Sequence, residues 1–198
     1  SVLIVPWLSI GGADKAALHH AKALASCTSQ RVLVITTENT SSPWAKKLPE
    51  STQLLEAGTL LSSLSDAHNE PVEVLTRLLL QISPRMIHVI NSRLGWLSFH
   101  KHGHALKQQS KLFASAFADE INSQGLPDGY AINFLPTVSI HLNALLTDNR
   151  RSAENWISNL KVPRQLIRIV HFPAPHSRVP VMPAATRDRI LWAGRLGK

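Results

Sequence analysis

A single cysteine, Cys27, leaves no partner for an internal disulfide and no thiolate set for a structural zinc centre. A reducing, cytoplasmic setting is expected. No uncharged apolar run approaches the roughly 18 residues that a membrane-spanning helix needs. The apolar N-terminal stretch has no basic leader or cleavage site and reads as a strand. Internal repeats and low-complexity tracts are also missing. Acidic residues are scarce only at one end. Residues 1–149 carry 11 Lys plus Arg and 11 Asp plus Glu, whereas residues 150–198 carry 10 and 2, so the whole net charge of +8 lies in the last quarter. Such a tail suits anionic lipid or a polyphosphate ligand, or is balanced by an acidic domain elsewhere in a longer protein. It has neither interleaved aromatics nor a helix-turn-helix pattern, so nucleic acid is not an expected partner.

What is present is one α/β domain's worth of chain, 198 residues with 44% hydrophobic content. Short apolar runs alternate with helical stretches, the pattern of a parallel β-sheet with helices on both faces. Strands are expected at Val2–Leu8, Arg31–Thr37, Gln53–Ala57, Met86–Ile90, Leu112–Ala118, Ala144–Thr147 and Leu166–Val170. Gly11-Gly12 break the first strand into a helix over 13–25, with Ala13, Ala17, Ala21 and Leu24 on its inner face. Pro71 suits the first turn of a helix reaching Ile82, and a further helix spans Trp96–Gln109 with Gly103 inside it. The connection from Asn122 to Thr137, with Gly125, Pro127, Asp128, Gly129 and Pro136, reads as a long loop that either shapes acceptor specificity or is simply mobile. Pro173, Pro175, Pro180 and Pro183 read as an extended linker.

Open parallel sheets bind ligands outside the carboxyl ends of their strands, and four loops qualify. In Ser9-Ile10-Gly11-Gly12-Ala13-Asp14, adjacent glycines precede a helix whose N-terminus favours an anion, although a plain strand-to-helix turn would look the same. The third glycine of the dinucleotide fingerprint and the Gly-Lys-Ser/Thr of a phosphate loop are both missing. Asn91-Ser92-Arg93 follows the fourth strand. Asn91 is favoured over His88 as a site residue, since a histidine inside an apolar strand is more often a core residue. Arg93 reads as a ligand for acceptor phosphate or as an ordinary surface cation. Asp119-Glu120 and Thr147-Asp148-Asn149 bring carboxylates to two further strand ends, where they can accept from sugar hydroxyls or act as bases. Asp148-Asn149 also suits a helix cap. His100, His102 and His104 lack a clear further ligand and read as a solvated helix face, so no metal is assigned.

Val5-Pro6-Trp7-Leu8-Ser9-Ile10-Gly11-Gly12-Ala13-Asp14-Lys15 and Arg189-Ile190-Leu191-Trp192-Ala193-Gly194-Arg195-Leu196, with the strand pattern between them, resemble the two domain openings of a GT-B glycosyltransferase, most closely glycosyltransferase family 4. The resemblance implies an N-terminal, acceptor-side Rossmann-like domain over 1–183. Residues 184–198 would then be the linker end and first strand of a truncated donor-binding domain. It implies a transferase that moves a sugar from a nucleotide-diphosphate donor to a glycan or polyprenyl-diphosphate-linked acceptor, with retention, no metal and no cofactor beyond the nucleotide sugar as co-substrate. Bacterial envelope polysaccharide synthesis, with peripheral contact on the inner, anionic membrane face, is the implied setting. Among site residues it implies Asn91 and Asp119 as catalytic, Gly11, Gly12, Ser92, Arg93 and Asp148 in the cleft, and Arg195 on the donor diphosphate. The lysine that the family places five residues after that arginine would fall past Lys198, and the family's paired glutamates are not in this sequence. The rival expectation is a non-enzymatic flavodoxin-like or response-regulator-like binding domain, which leaves Gly194-Arg195 unexplained.

Overall fold

A computed structural model describes residues 1–27, 31–64 and 70–172. The expected domain boundary at 183, the segment 184–198 and Arg195 lie outside the described residues. In chain order the elements are β1 (Val2–Val5), α1 (Gly12–Ser26), β2 (Val32–Thr36), β3 (Thr52–Glu56), α2 (Gly58–Ser62), α3 (Glu70–Ile82), β4 (Met86–Ile90), α4 (Arg93–Gln109), β5 (Lys111–Ser115), β6 (Glu120–Ile121), β7 (Pro127–Asp128), α5 (Tyr130–Val138), β8 (Ala144–Thr147), α6 (Arg150–Asn159) and β9 (Ile167–Ile169). Seven strands form one parallel sheet in the order β3-β2-β1-β4-β5-β8-β9, and β6 and β7 form a small antiparallel hairpin. The chain builds outward from β1 to β3, crosses back to lay β4 beside β1, and builds outward the other way. A flavodoxin-like sheet runs 2-1-3-4-5. The order here sets that rival architecture aside.

Strand alternation explains the two-sided core. In β1, Val2 and Ile4 face one way with Ile35, Ile87 and Val89, under Leu75 and Leu79 of α3, Trp96 and Phe99 of α4, Leu135 of α5 and Trp156 of α6. Leu3 and Val5 face the other way with Val34 and Ile90, against Ala17 and Ala21 of α1. A strand buried on both faces must be apolar throughout, and all four residues of β1 are buried. The α1 stripe is centred as expected on Ala17 and Ala21, but it takes in Asp14 and Leu18, while Ala13 and Leu24 are only half-buried.

The connection expected as a loop is instead the β6–β7 hairpin followed by α5. Gly129 opens α5 with φ +125°, a conformation L side chains rarely adopt, and Ala131, Leu135 and Val138 are buried at helical spacing. Their burial carries a helix through Pro136, which lies near its C-terminal end. Of the histidines expected on a solvated face, His100 and His104 are exposed and His102 is half-buried, and two of the three also tie helices together. His100 Nδ1 is 2.7 Å from Thr137 Oγ1 of α5, and His102 Nε2 is 2.7 Å from Glu73 Oε1 of α3.

Candidate functional site at the sheet crossover

The order reverses between β1 and β4, and the carboxyl edge at such a reversal is where open parallel sheets take ligands. The loop after β1 is held shut by Asp14, whose buried carboxylate accepts the Ser9 N–H at 3.2 Å. Gly11 lies close to this carboxylate, since a Cβ there would sit 2.5 Å from Asp14 Oδ2 and push it from its place beside Ser9. Gly12 is different. Its Cβ would meet nothing within 4 Å, so the protein itself does not require a glycine there. Gly11→Ala should cost about 1–3 kcal/mol by overpacking. Gly12→Ala should leave stability unchanged or raise it by up to about 1 kcal/mol through the unfolded state. Urea unfolding of the two variants checks this, and equal losses would contradict it. The α1 N-terminus has no side-chain cap, but Asp14 already puts a negative charge in the first turn, where it competes with any bound anion.

After β2, the Thr37 N–H donates to Val5 O at 3.0 Å, and Thr37 Oγ1 lies 2.8 Å from Ser92 Oγ. Ser92 Oγ also accepts from Gly95 N at 3.1 Å as the N-cap of α4. Ser92 is wholly buried, so it is a helix cap beneath the crevice and not a wall of it. Asn91 makes the turn from β4 into α4 with φ +57°, the left-handed conformation that asparagine tolerates better than most residues. That turn delivers Asn91 and Arg93 to one cavity of about 520 Å³, shared with Glu120, Asp128, Tyr130, Asn133 and Phe134. Arg93 also borders a smaller cavity of about 200 Å³ with Thr37 and Glu38.

Of the cavity groups from the hairpin and α5, Glu120 is one of the expected strand-end carboxylates, whereas Tyr130, Asn133 and Phe134 have no role in the sequence reading. Asp128 Oδ1 accepts from Asn133 Nδ2 and from Gly129 N, both at 2.7 Å. These two donors, the Asn133 amide first, hold the Asp128 carboxyl below its ordinary value. Tyr130 and Phe134 stack with Trp96 at centroid distances of 6.2 and 5.9 Å and interplanar angles of 10° and 18°. Burial, then the charge of Glu38, pushes the Tyr130 phenol up, while Arg93 pulls it down.

Asp119 and Asp148 lie elsewhere. Asp119 accepts from the Trp156 indole N–H at 2.8 and 3.0 Å and from Asn155 Nδ2 at 3.3 Å, so its carboxylate anchors α6. It borders a separate cavity of about 340 Å³ with Asn149 and Arg151. Asn149 Oδ1 accepts from Arg151 N and Ser152 N, as expected of a cap. Asp148 is exposed and lines neither cavity. The crevice thus gathers Asn91 and Arg93 from the expected residues, with Gly12 on the neighbouring loop, but neither Asp119 nor Asp148.

His88 is a core residue. It is buried, its Nε2 lies 2.8 Å from Ser115 Oγ, and its ring meets that of His20 edge-on at 4.7 Å. Desolvation, then His20, pushes its pKa well below the ordinary value. His20 is lowered by the same first cause. The folded protein therefore binds fewer protons than the unfolded chain once pH falls below about 6.5. Stability should be full above that pH and fall below it by up to about 1.4 kcal/mol per pH unit for His88, with a smaller share from His20. Urea midpoints from pH 7.5 to 5 test this, and His88→Gln should flatten the slope. An unchanged slope in that variant would remove His88 from the effect.

Among the described residues no helix is long and apolar enough to cross a membrane, and no three His, Cys, Asp or Glu side chains converge as a metal site would require.

Sequence comparison finds no matching protein-family model and no matching curated protein. Comparison of folds does find likeness. The lipopolysaccharide outer core galactosyltransferase WaaB, in its apo form, superposes with a TM-score of 0.64 at 13% identity, over 95% of this chain and 49% of that one. A glycosyltransferase from Rickettsia africae ESF-5 superposes with a TM-score of 0.55 at 13% identity, over 86% of this chain and 42% of that one. At this identity the likeness is one of fold, and this chain spans less than half the length of either structure. Its seven-stranded parallel sheet, flanked by helices, is an α/β Rossmann-like fold that matches glycosyltransferases of GT-B architecture.

Proposed function

We propose that the chain is the acceptor-side domain of a nucleotide-sugar glycosyltransferase of the family 4 type. The observation that carries this reading is the crevice at the β1–β4 crossover, with Asn91 and Arg93 at its edge, in a sheet whose fold matches GT-B glycosyltransferases. The longer protein moves a hexose from a nucleotide-diphosphate donor to a glycan or polyprenyl-diphosphate-linked acceptor, with retention and without a metal. It does so in cell-envelope polysaccharide synthesis, on the cytoplasmic side of the membrane. The cationic stretch that begins with Arg150, Arg151, Lys161, Arg164 and Arg168 suits peripheral contact with anionic lipid. Asn91 orients the reacting groups, Arg93 neutralises charge at the crevice, and Arg195 binds the donor diphosphate. Asp119 serves by fixing α6.

Most donor contacts belong to the second domain on this reading. Residues 1–198 alone should have no transferase activity and bind nucleotide sugars poorly. Titration calorimetry with a uridine- and a guanosine-diphosphate sugar checks this, and micromolar binding by 1–198 would overturn the domain assignment. In the longer protein, Gly12→Val should abolish turnover while melting stays cooperative, because a side chain at that open position blocks close approach of ligand to backbone.

A further inference from the structure

The 520 Å³ cavity combines two kinds of wall that rarely suit the same ligand. Tyr130 and Phe134 supply apolar ring surface, held by their mutual stacking at 6.4 Å and by Trp96 behind them. Glu120 and Asp128 supply carboxylates, and Asn91 and Asn133 supply amides. The Glu120 carboxylate makes no hydrogen bond or ion pair among the described residues, and Asp128 commits Oδ1 to Asn133 and Gly129 while Oδ2 takes no donor.

Two carboxylates face one cation, Arg93. An anionic ligand such as a phosphate would meet more like charge than opposite charge there. A purely apolar ligand would strip water from the carboxylates and amides without pairing them. A sugar ring satisfies both walls, since its C–H face packs on aromatic rings and its hydroxyls donate to carboxylates and amide oxygens.

We propose that this cavity seats an uncharged sugar ring, with Glu120 and Asp128 as hydroxyl acceptors and Tyr130 and Phe134 as its apolar wall, and that these residues set which acceptor is used. Only the word acceptor rests on the transferase reading; the sugar site stands on the cavity itself. The recognised element is the ring, whether it belongs to a free glycan or a lipid-linked one.

Saturation-transfer NMR on the whole chain tests this. The probes are lactose, maltose and cellobiose, glucose with its 6-phosphate, and methyl with octyl β-glucoside below its micelle concentration. At least one neutral sugar should bind with a millimolar Kd, and glucose should bind roughly fivefold tighter than its 6-phosphate. Glu120→Ala and Asp128→Ala should each weaken neutral-sugar binding roughly fivefold or more, the loss of one hydrogen bond to a charged acceptor; the melting temperature stays put in Glu120→Ala, while Asp128→Ala also releases Asn133 and Gly129 and melts lower. Methyl and octyl glucosides binding alike supports recognition of the ring alone. No binding of any neutral sugar would overturn the proposal. So would preference for the phosphate that is lost in Arg93→Ala, or a gain for the octyl glycoside that survives Glu120→Ala. A chain that binds neutral sugars through Glu120 but belongs to a protein with no nucleotide-sugar turnover would keep this site and lose the transferase reading.

Discussion

Gly58→Ala should destabilise the domain by about 3 kcal/mol or more, the top of the usual range for overpacking, and lower its melting temperature by roughly 6–12 °C. Gly58 opens α2 directly after β3, and a Cβ built there would lie 1.9 Å from the backbone oxygen of Glu38 and 2.7 Å from Asn39 N. Backbone cannot rotate aside as a flexible side chain can, so either α2 or the loop after β2 must move. That loop is anchored, because Glu38 N donates to Pro6 O at 2.9 Å and Thr37 is tied to both Val5 and Ser92. The strain should therefore reach the crevice, where Glu38 borders the cavity shared with Arg93. Calorimetric melting gives the stability, and the Tyr130 phenol, which senses the Glu38 charge, gives a local readout by spectroscopic titration. A loss below about 1 kcal/mol would show that the loop yields freely.

The sheet was legible because its strands are short, largely apolar and bounded by breakers. Met86–Ile90 and Ala144–Thr147 are the expected strands to the residue, since each is a short, mostly apolar run that ends at a turn residue. The helix α5 was not legible for the opposite reason. Gly125, Gly129 and Pro136 punctuate 122–137 strongly enough to mask the buried Ala131, Leu135 and Val138, although Gly129 serves the helix start and Pro136 falls near its end. Helical spacing of Tyr130 with Asn133 and Phe134 was the available signal, and it marks the residues that line the cavity.

Within the site, the sequence shows which loops reach the carboxyl edge but not what each side chain does there. Asp119 and Glu120 are neighbours after one strand, yet Asp119 turns to Trp156, 37 positions on, while Glu120 lines the cavity. Only the packing of α6 against β8 and β9 decides between them. Ser92 shows the same limit, since its burial depends on Thr37 arriving from β2, 55 positions earlier. Gly11 and Gly12 are adjacent and chemically identical, and a single neighbour, Asp14, separates a glycine whose Cβ would press on a carboxylate from one that faces open space.

Arg195→Ala in the longer protein should lose about 2 kcal/mol or more of donor binding or transition-state stabilisation, roughly 30-fold or more in kcat/KM. The expectation follows from the proposed role of Gly194-Arg195 after the apolar run Ile190-Leu191-Trp192-Ala193, where a guanidinium fork matches the oxygens of a diphosphate and a charge-assisted pair is worth about 1.5–3 kcal/mol. A lysine keeps the attraction but has no bidentate fork, so Arg195→Lys should fall between wild type and alanine. If Arg195 instead makes an exposed ion pair away from the donor, alanine should change stability by well under 1 kcal/mol and leave donor affinity intact. The two outcomes differ in which quantity moves as well as in size. Donor titration of both variants, with melting curves beside it, separates them. Unchanged donor affinity in Arg195→Ala would remove this residue from the site, and would leave the proposed function resting on the fold and the β1–β4 crevice alone.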